Sequence, residues 1–215
     1  METLELHDRI ITGQFVNGLA HGFIYVLYKN RDNNGVHPYY AGMALNGKAH
    51  GHGRFEYGDG TYYEGEFEND KFNGKGVYVF TDGTVYVGEF YENQRHGYGV
   101  LTMVSGETYE GEFEYDKYSG HAKHTLGNWT YVGQYYKDLK HGYGEMVNNK
   151  TGEFYKGYFL DGYQHGYGMA SWCGNEKTAI KGQWANGRYL FREFIPSTNT
   201  PSNTNKKILT QHVQI

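Results

Sequence analysis

The chain has 215 residues, 20 Lys and Arg against 24 Asp and Glu for a formal charge of −4, and 32 glycines beside 23 tyrosines, 12 phenylalanines and 3 prolines. This length fits one sizeable domain or one short repeat array, and is too short for an array followed by an independent enzyme. The negative balance provides no positive field to gather phosphate backbones, so nucleic acid is not an expected partner, and the glycine and aromatic richness favours turns and strands over helices.

Residues 1–10 form an N-terminal lead-in without the basic and apolar pattern of a secretory signal, and no apolar run approaches the roughly 18 residues of a membrane span. A single cysteine, Cys173, cannot close an internal disulfide, which agrees with a reducing, cytoplasmic compartment.

From residue 11 one phrase recurs. Ile11-Thr-Gly13-Gln-Phe15 is followed by Tyr40-Ala-Gly42-Met-Ala44, Tyr63-Glu-Gly65-Glu-Phe67, Tyr86-Val-Gly88-Glu-Phe90, Tyr109-Glu-Gly111-Glu-Phe113, Tyr131-Val-Gly133-Gln-Tyr135, Tyr155-Lys-Gly157-Tyr-Phe159 and Ile180-Lys-Gly182-Gln-Trp184. The central glycines are separated by 29, 23, 23, 23, 22, 24 and 25 residues, a period that signals a repeat architecture. Eight or nine residues after each comes a second phrase: His50-Gly-His-Gly53, Asn73-Gly-Lys-Gly76, His96-Gly-Tyr-Gly99, His141-Gly-Tyr-Gly144 and His165-Gly-Tyr-Gly168. It is degraded at His21-Gly-Phe-Ile24 and Ser119-Gly-His-Ala122. The stretch from Tyr115 to Trp129 loses a glycine and one residue of period, and a bend is expected there. A long insertion separates the first two copies, Lys29 to Pro38, and the last copy runs Arg188-Tyr-Leu-Phe191 where its glycine pair should be.

Tyr-x-Gly-x-Phe followed by His/Asn-Gly-x-Gly at this period resembles the MORN repeat family (membrane occupation and recognition nexus) over about residues 11 to 187. The resemblance implies one β-hairpin per copy, and the residues reach the same answer. Alternation in a strand puts Tyr86, Gly88 and Phe90 on one face and Val87, Glu89 and Tyr91 on the other. A central glycine marks a close approach, expected to be a ring from the neighbouring strand. Val77 to Phe80 and Val100 to Met103 read as second strands, with turns at Gly58-Asp59-Gly60 and Thr81-Asp82-Gly83. The expected fold is all-β, an elongated single-layer antiparallel β-meander of about eight tandem hairpins, open-ended and twisted, about 75 Å long at about 4.8 Å per strand. The array takes residues 11–192, with Gly42, Gly65, Gly88, Gly111, Gly133 and Gly157 as its structural glycines, and a polar tail takes residues 193–215.

Chemistry is sparse. Equivalent histidines at 21, 50, 96, 141 and 165 would lie two strands, about 9.5 Å, apart, too far to share an ion whose ligands sit about 2 Å from one centre; they are read as turn histidines. Glu66, Glu89 and Glu112 stand in register on an open face with no pocket to separate their pKa values, so no acid–base pair is expected. Gly74-Lys-Gly76 lacks phosphate-loop spacing and reads as a hairpin turn, and Cys173 as an inert, half-buried thiol. The expectation is a non-enzyme without metal or cofactor.

The face opposite the Tyr-Gly-Phe ladder is not dictated by the repeat. It carries Met43, Leu45, Tyr91, Tyr136, Tyr158 and Leu160 in register, with acidic rungs that include Glu66 and Glu112, and these eight residues are the candidate partner-binding set. The resemblance implies three settings: structural parts of cilia and cytoskeleton such as radial-spoke heads, membrane tethers, and arrays that precede an enzyme. Length removes the third, and the negative charge disfavours anionic lipid. The reading is a cytoskeletal, ciliary or axonemal scaffold that binds other proteins of a larger assembly, with self-association at the sheet ends; the alternative is a tether or adaptor that binds phospholipid or a membrane protein.

Overall fold

Why the tight turns fall where they do is a matter of backbone handedness. Eight two-residue connections have positive φ at both positions: Asn17-Gly18, Asn46-Gly47, Asn69-Asp70, Glu92-Asn93, Tyr115-Asp116, Lys137-Asp138, Asp161-Gly162 and Asn186-Gly187. Two consecutive left-handed residues are what a type I′ hairpin requires, because that twist matches the twist of the strands it joins. One such turn closes each copy.

The computed structural model describes residues 1–31 and 35–190. Its strands are β1 (Glu2–Glu5), β2 (Arg9–Val16), β3 (Leu19–Tyr28), β4 (Tyr39–Leu45), β5 (Lys48–Glu56), β6 (Tyr62–Glu68), β7 (Lys71–Val79), β8 (Val85–Tyr91), β9 (Gln94–Thr102), β10 (Thr108–Glu114), β11 (Lys117–Leu126), β12 (Trp129–Tyr136), β13 (Leu139–Asn148), β14 (Phe154–Leu160), β15 (Tyr163–Ser171), β16 (Ile180–Ala185) and β17 (Arg188–Leu190). A short 3-10 turn, Glu176–Thr178, is the only helical element among the described residues. The fold is thus all-β and antiparallel, two strands per copy, with the lead-in supplying β1. The polar tail at 193–215 lies outside the described residues.

The chain divides into two compact units at Gly120/His121, inside the irregular fifth copy. In the first, every strand from β1 to β10 pairs antiparallel with the next. In the second, β12 to β17 do the same. At the base of the insertion after β3, Tyr28 N–H donates to Pro38 O at 3.0 Å. At the outer edge β1 is exposed along its length and carries Glu2 and Glu5, charges that discourage edge-to-edge pairing.

Side chains alternate as the repeat demands. Along β6 the pattern is buried at Tyr63, Gly65 and Phe67 and exposed at Glu64 and Glu68. The largest fully buried side chains are Tyr63, Tyr86, Tyr109, Tyr131 and Tyr155, all from the first position of the phrase. Each meets the phrase aromatic of its own copy edge to face, as Tyr86 and Phe90 do at 5.1 Å, and several meet that of the next, as Tyr86 and Phe113 do at 5.0 Å.

The glycines make this packing possible, though not with the ring expected from sequence. The ring over Gly65 comes from its own strand, Tyr63, and it also covers Gly76 on β7: a Cβ on Gly76 would lie 2.7 Å from Tyr63 Cζ, and one on Gly65 2.5 Å from the Gly76 Cα. Two paired glycines leave a slot one ring thick, and the tyrosine two residues earlier folds into it. Its hydroxyl donates to the carbonyl of residue i+3, from Tyr63 to Glu66 O at 2.7 Å and from Tyr86 to Glu89 O at 2.9 Å. Satisfying that polar end is what permits near-complete burial.

Immediately beyond the glycine pair the register slips. Between Gly65↔Gly76 and Phe67↔Phe72 one residue of β6 faces three of β7, and the same irregularity recurs at Gly13/Phe15, Gly42/Ala44, Gly88/Phe90, Gly133/Gln134 and Gly157/Phe159. The His/Asn-Gly-x-Gly phrase is therefore a bulged strand and not a turn, which corrects the reading of Gly74-Lys-Gly76 and of the histidines. His21, His50, His96, His141 and His165 lie within β3, β5, β9, β13 and β15.

Consecutive copies are tied through their tight turns. Asp70 N–H donates to Ala49 O (3.1 Å) while its carboxylate accepts from Ala49 N (2.7 Å). Asn93 does the same with Phe72, and Asp116 with Arg95.

Candidate interaction surfaces

On the face opposite the tyrosine ladder the structure leaves large apolar groups in water. Met43 is 44% exposed, Tyr91 48%, Tyr136 51% and Tyr158 53%, and Leu45 and Leu160 are exposed beside them. Met43, Leu45 and Tyr91 belong to the first unit, Tyr136, Tyr158 and Leu160 to the second. The core of each unit is on the other side of the backbone.

The middle residue of His-Gly-x-Gly also points outward, and sequence reasoning missed it. Cross-strand pairs join Phe23 to Met43, His52 to Glu66, Lys75 to Glu89, Tyr98 to Glu112 and Tyr143 to Tyr158. The first and last of these are apolar, and Tyr143 and Tyr158 meet edge to face at 5.8 Å; the middle ones carry charge. The signal was present, since a residue between two glycines that face the ladder must face away from it.

The acidic members behave differently from free surface carboxylates. Glu66 folds back over the bulge, where its Oε1 accepts from Lys75 N–H at 3.1 Å. A Cβ at Gly120 would collide with the Glu112 carboxylate, so that group lies against the bulge glycine of its own copy. Glu64 is held by Arg54 at 3.1 Å, and Arg54 stacks on Tyr62 at 3.7 Å. Outward-facing side chains of the first unit, from Phe23 to Tyr98, wall a shallow depression of about 780 Å³ floored by the glycine pairs 42/53, 65/76 and 88/99.

The ladder face of the first unit has a hollow of its own, about 650 Å³, floored by Ala20, Ala49, Phe72 and Phe90 and rimmed by Arg9, Asp70, Arg95 and Asp116. It exists because the residue two places after the tight turn varies. Phe72 lies flat on Tyr63 at 3.8 Å and Tyr118 on Tyr109 at 3.7 Å, whereas Ala20 and Ala49 leave the space empty.

Among the described residues no group of three His, Cys, Asp or Glu is placed to hold a metal ion. His96 packs its ring against Tyr115 at 5.0 Å and Tyr91 at 5.8 Å, and His141 packs against Tyr136 at 5.8 Å. Cys173 is exposed, not half-buried; the Thr178 hydroxyl at 3.3 Å, and then Ser171, hold its thiol below the usual range.

A family profile described as MORN repeat matches residues 12–23, 40–62, 63–85, 86–108, 109–130, 131–149 and 155–175. The chain belongs to the MORN repeat family. Seven matches correspond to the copies built on β2/β3 through β14/β15. MORN is a non-catalytic type of repeat, and MORN arrays mediate protein or membrane interaction. No curated protein matches the chain. The copy at β16/β17 lies beyond the last MORN match, and it solves the packing differently: Ile180 replaces the tyrosine, and Tyr189 comes from the partner strand to cover Gly182, whose Cβ would lie 2.9 Å from its ring.

Proposed function

We propose that this MORN array is a structural scaffold of a cytoskeletal assembly, of the ciliary or axonemal kind, that holds other proteins against its outward face. The observation that carries this reading is the exposure, at the outward positions of the repeat, of Met43 and Tyr91 in the first unit and of Tyr136 and Tyr158 in the second, where none of them takes part in the core of its unit. Aromatic side chains exposed in register are the groups that dominate protein contacts. The net charge of −4 and the outward Glu64, Glu68, Glu110 and Glu114 favour a protein partner over an anionic bilayer, which attracts Lys and Arg clusters. The cytoskeletal setting is supported by the likeness of the repeats to arrays that serve there.

Extraction of source cells with detergent and then salt tests the proposal. Retention in the detergent-insoluble fraction, with release by salt, supports a scaffold and names the co-released partners. Release by detergent alone, together with lipid, overturns it in favour of a membrane tether.

A further inference from the structure

Lys140 occupies the variable position two places after its tight turn, the place filled by Phe72, Arg95 and Gln164 in other copies. Arg95 is the instructive comparison. Its Nε donates to Asp116 Oδ1 at 3.0 Å, and the same carboxylate accepts from the Arg95 backbone N–H at 3.0 Å. Asp116 is the second residue of the next copy's turn, so the lock between copies also supplies the counter-ion.

At Lys140 the corresponding turn residue is Gly162. The backbone lock is kept, Gly162 N–H to Lys140 O at 3.0 Å, just as Asp116 N–H donates to Arg95 O at 3.0 Å. The carboxylate is missing. The ammonium instead sits 5.0 Å from the Tyr131 ring centroid and 3.6 Å from Met146 Sδ. No ion pair to Lys140 occurs among the described residues, and burial holds its pKa below the usual lysine range. His124, Leu126, Trp129, Tyr131 and Met146 enclose with it a hollow of about 250 Å³. Two other titratable walls face it: His124 is turned to the Tyr135 hydroxyl at 2.8 Å, and Tyr131, whose phenol burial holds above the usual tyrosine range, donates its hydroxyl to Gln134 O at 2.9 Å. A desolvated cation among aromatic rings is costly until an anion joins it, and the hollow is smaller than the roughly 300 Å³ at which small-molecule pockets begin.

We propose that this hollow in the second unit receives a single acidic side chain, Asp or Glu, from a partner protein, with its carboxylate on Lys140 Nζ and its methylene stem against Trp129 and Met146. The site lies on the ladder face and does not depend on the outward-face reading. Its position in the array is set by one substitution: where a copy carries Gly at the second turn residue and a cation at the variable position, the counter-ion must come from outside.

The test is NMR titration of the full chain carrying ¹³Cε-labelled lysine, with acetyl-glutamate N-methylamide as probe, the glutamine analogue as the neutral control and sodium chloride at matched ionic strength. The glutamate probe is expected to raise the Lys140 titration midpoint by about one pH unit or more and to change Trp129 emission, with no response to the glutamine analogue or to chloride. Lys140→Gln, which installs the residue the next copy has at this position, should fold and lose the Trp129 response. Gly162→Asp should raise the midpoint without any probe and block further response; the residue has room, since a Cβ there meets nothing closer than Leu139 Cδ2 at 3.8 Å, and Asp70 and Asp116 hold the same backbone conformation at φ 69° and 67°. An unmoved Lys140, an equal response to chloride, or a Gly162→Asp protein with an unchanged midpoint overturns the proposal.

Discussion

The ring of Tyr86 fills the space where a side chain on Gly99 would be: a Cβ there would lie 2.5 Å from Tyr86 Cε2, although the two residues belong to different strands. The backbone of Gly99 is not left-handed, so the requirement for glycine is steric alone. Gly99→Ala is expected to lower stability by roughly 2 to 3 kcal/mol, the usual cost of overpacking a filled interior. Gly106 is the control, with φ at 85° and nothing within 4 Å of its Cβ position; its alanine variant bears only the backbone cost, about 1 kcal/mol. Urea unfolding of both variants measures the difference, and equal losses would contradict the steric account.

The tyrosine hydroxyls make a separate contribution. Tyr86→Phe keeps the ring and removes the donor to Glu89 O at 2.9 Å, which should cost about 1 kcal/mol. A loss nearer that of Gly99→Ala would mean that the hydroxyl, and not the ring, holds the slot together.

Alkali should unfold this protein in a defined window. Burial raises the phenols of Tyr63, Tyr86 and Tyr131 above the usual tyrosine range and that of Tyr155 to about 12. An acid whose folded-state pKa exceeds its unfolded value contributes its full stability below the unfolded value, about pH 10, and loses it as pH rises through the folded value. Stability should therefore be unaffected by these groups below about pH 9 and fall steeply above about pH 10, by about 1.4 kcal/mol per pH unit for each buried tyrosine. The buried phenols should ionise only as circular dichroism reports unfolding, giving a step in phenolate absorbance that coincides with it and is separate from the signal of exposed tyrosines such as Tyr91 and Tyr136; unfolding with no coincident step would show that the buried hydroxyls ionise in the folded protein.

Tight turns offer a gain instead of a loss. Lys137 has φ 49° with Asp138 following at 71°, and asparagine tolerates that region better than lysine. Lys137→Asn should raise stability by about 0.5 kcal/mol, read as a higher thermal midpoint, even though Lys137 loses its place over the Tyr136 ring at 5.0 Å.

Outward substitutions should separate binding from folding. Tyr91→Ser with Tyr136→Ser is expected to change unfolding by under about 1 kcal/mol, as exposed sites do, while abolishing incorporation into the parent assembly. Undiminished incorporation would remove the outward face from consideration.

The copies, their two faces and the buried tyrosines were legible because a period of two runs through a phrase with glycine at a fixed place. Turn chemistry was legible only in part: Gly58-Asp59-Gly60 and Thr81-Asp82-Gly83 do join strands, but the two-residue turns were missed. Glu92-Asn93 and Lys137-Asp138 contain no glycine, so they carry no obvious hairpin signal, while His96-Gly-Tyr-Gly99, rich in glycine, is a strand. In that phrase Gly97 bends the bulge and Gly99 admits the ring, two different uses of one residue type. The hollow around Lys140 was hidden for another reason. Its meaning depends on Gly162, a residue 22 positions away whose importance shows only once the turn of one copy is seen to lie against the strand of the preceding one.

Pairing in each unit joins strands that are neighbours along the chain, across two-residue turns or loops, with the Lys29 to Pro38 insertion as the longest connection. No segment must wait for a distant part of the polypeptide before its hydrogen bonds can form. For an all-β protein this is an uncommonly low contact order, and it predicts rapid closure of each hairpin upon the one before it. A ribosome releasing such a chain would be followed at every stage by a product already paired up to its last completed turn, with one unsatisfied edge that moves outward as synthesis proceeds.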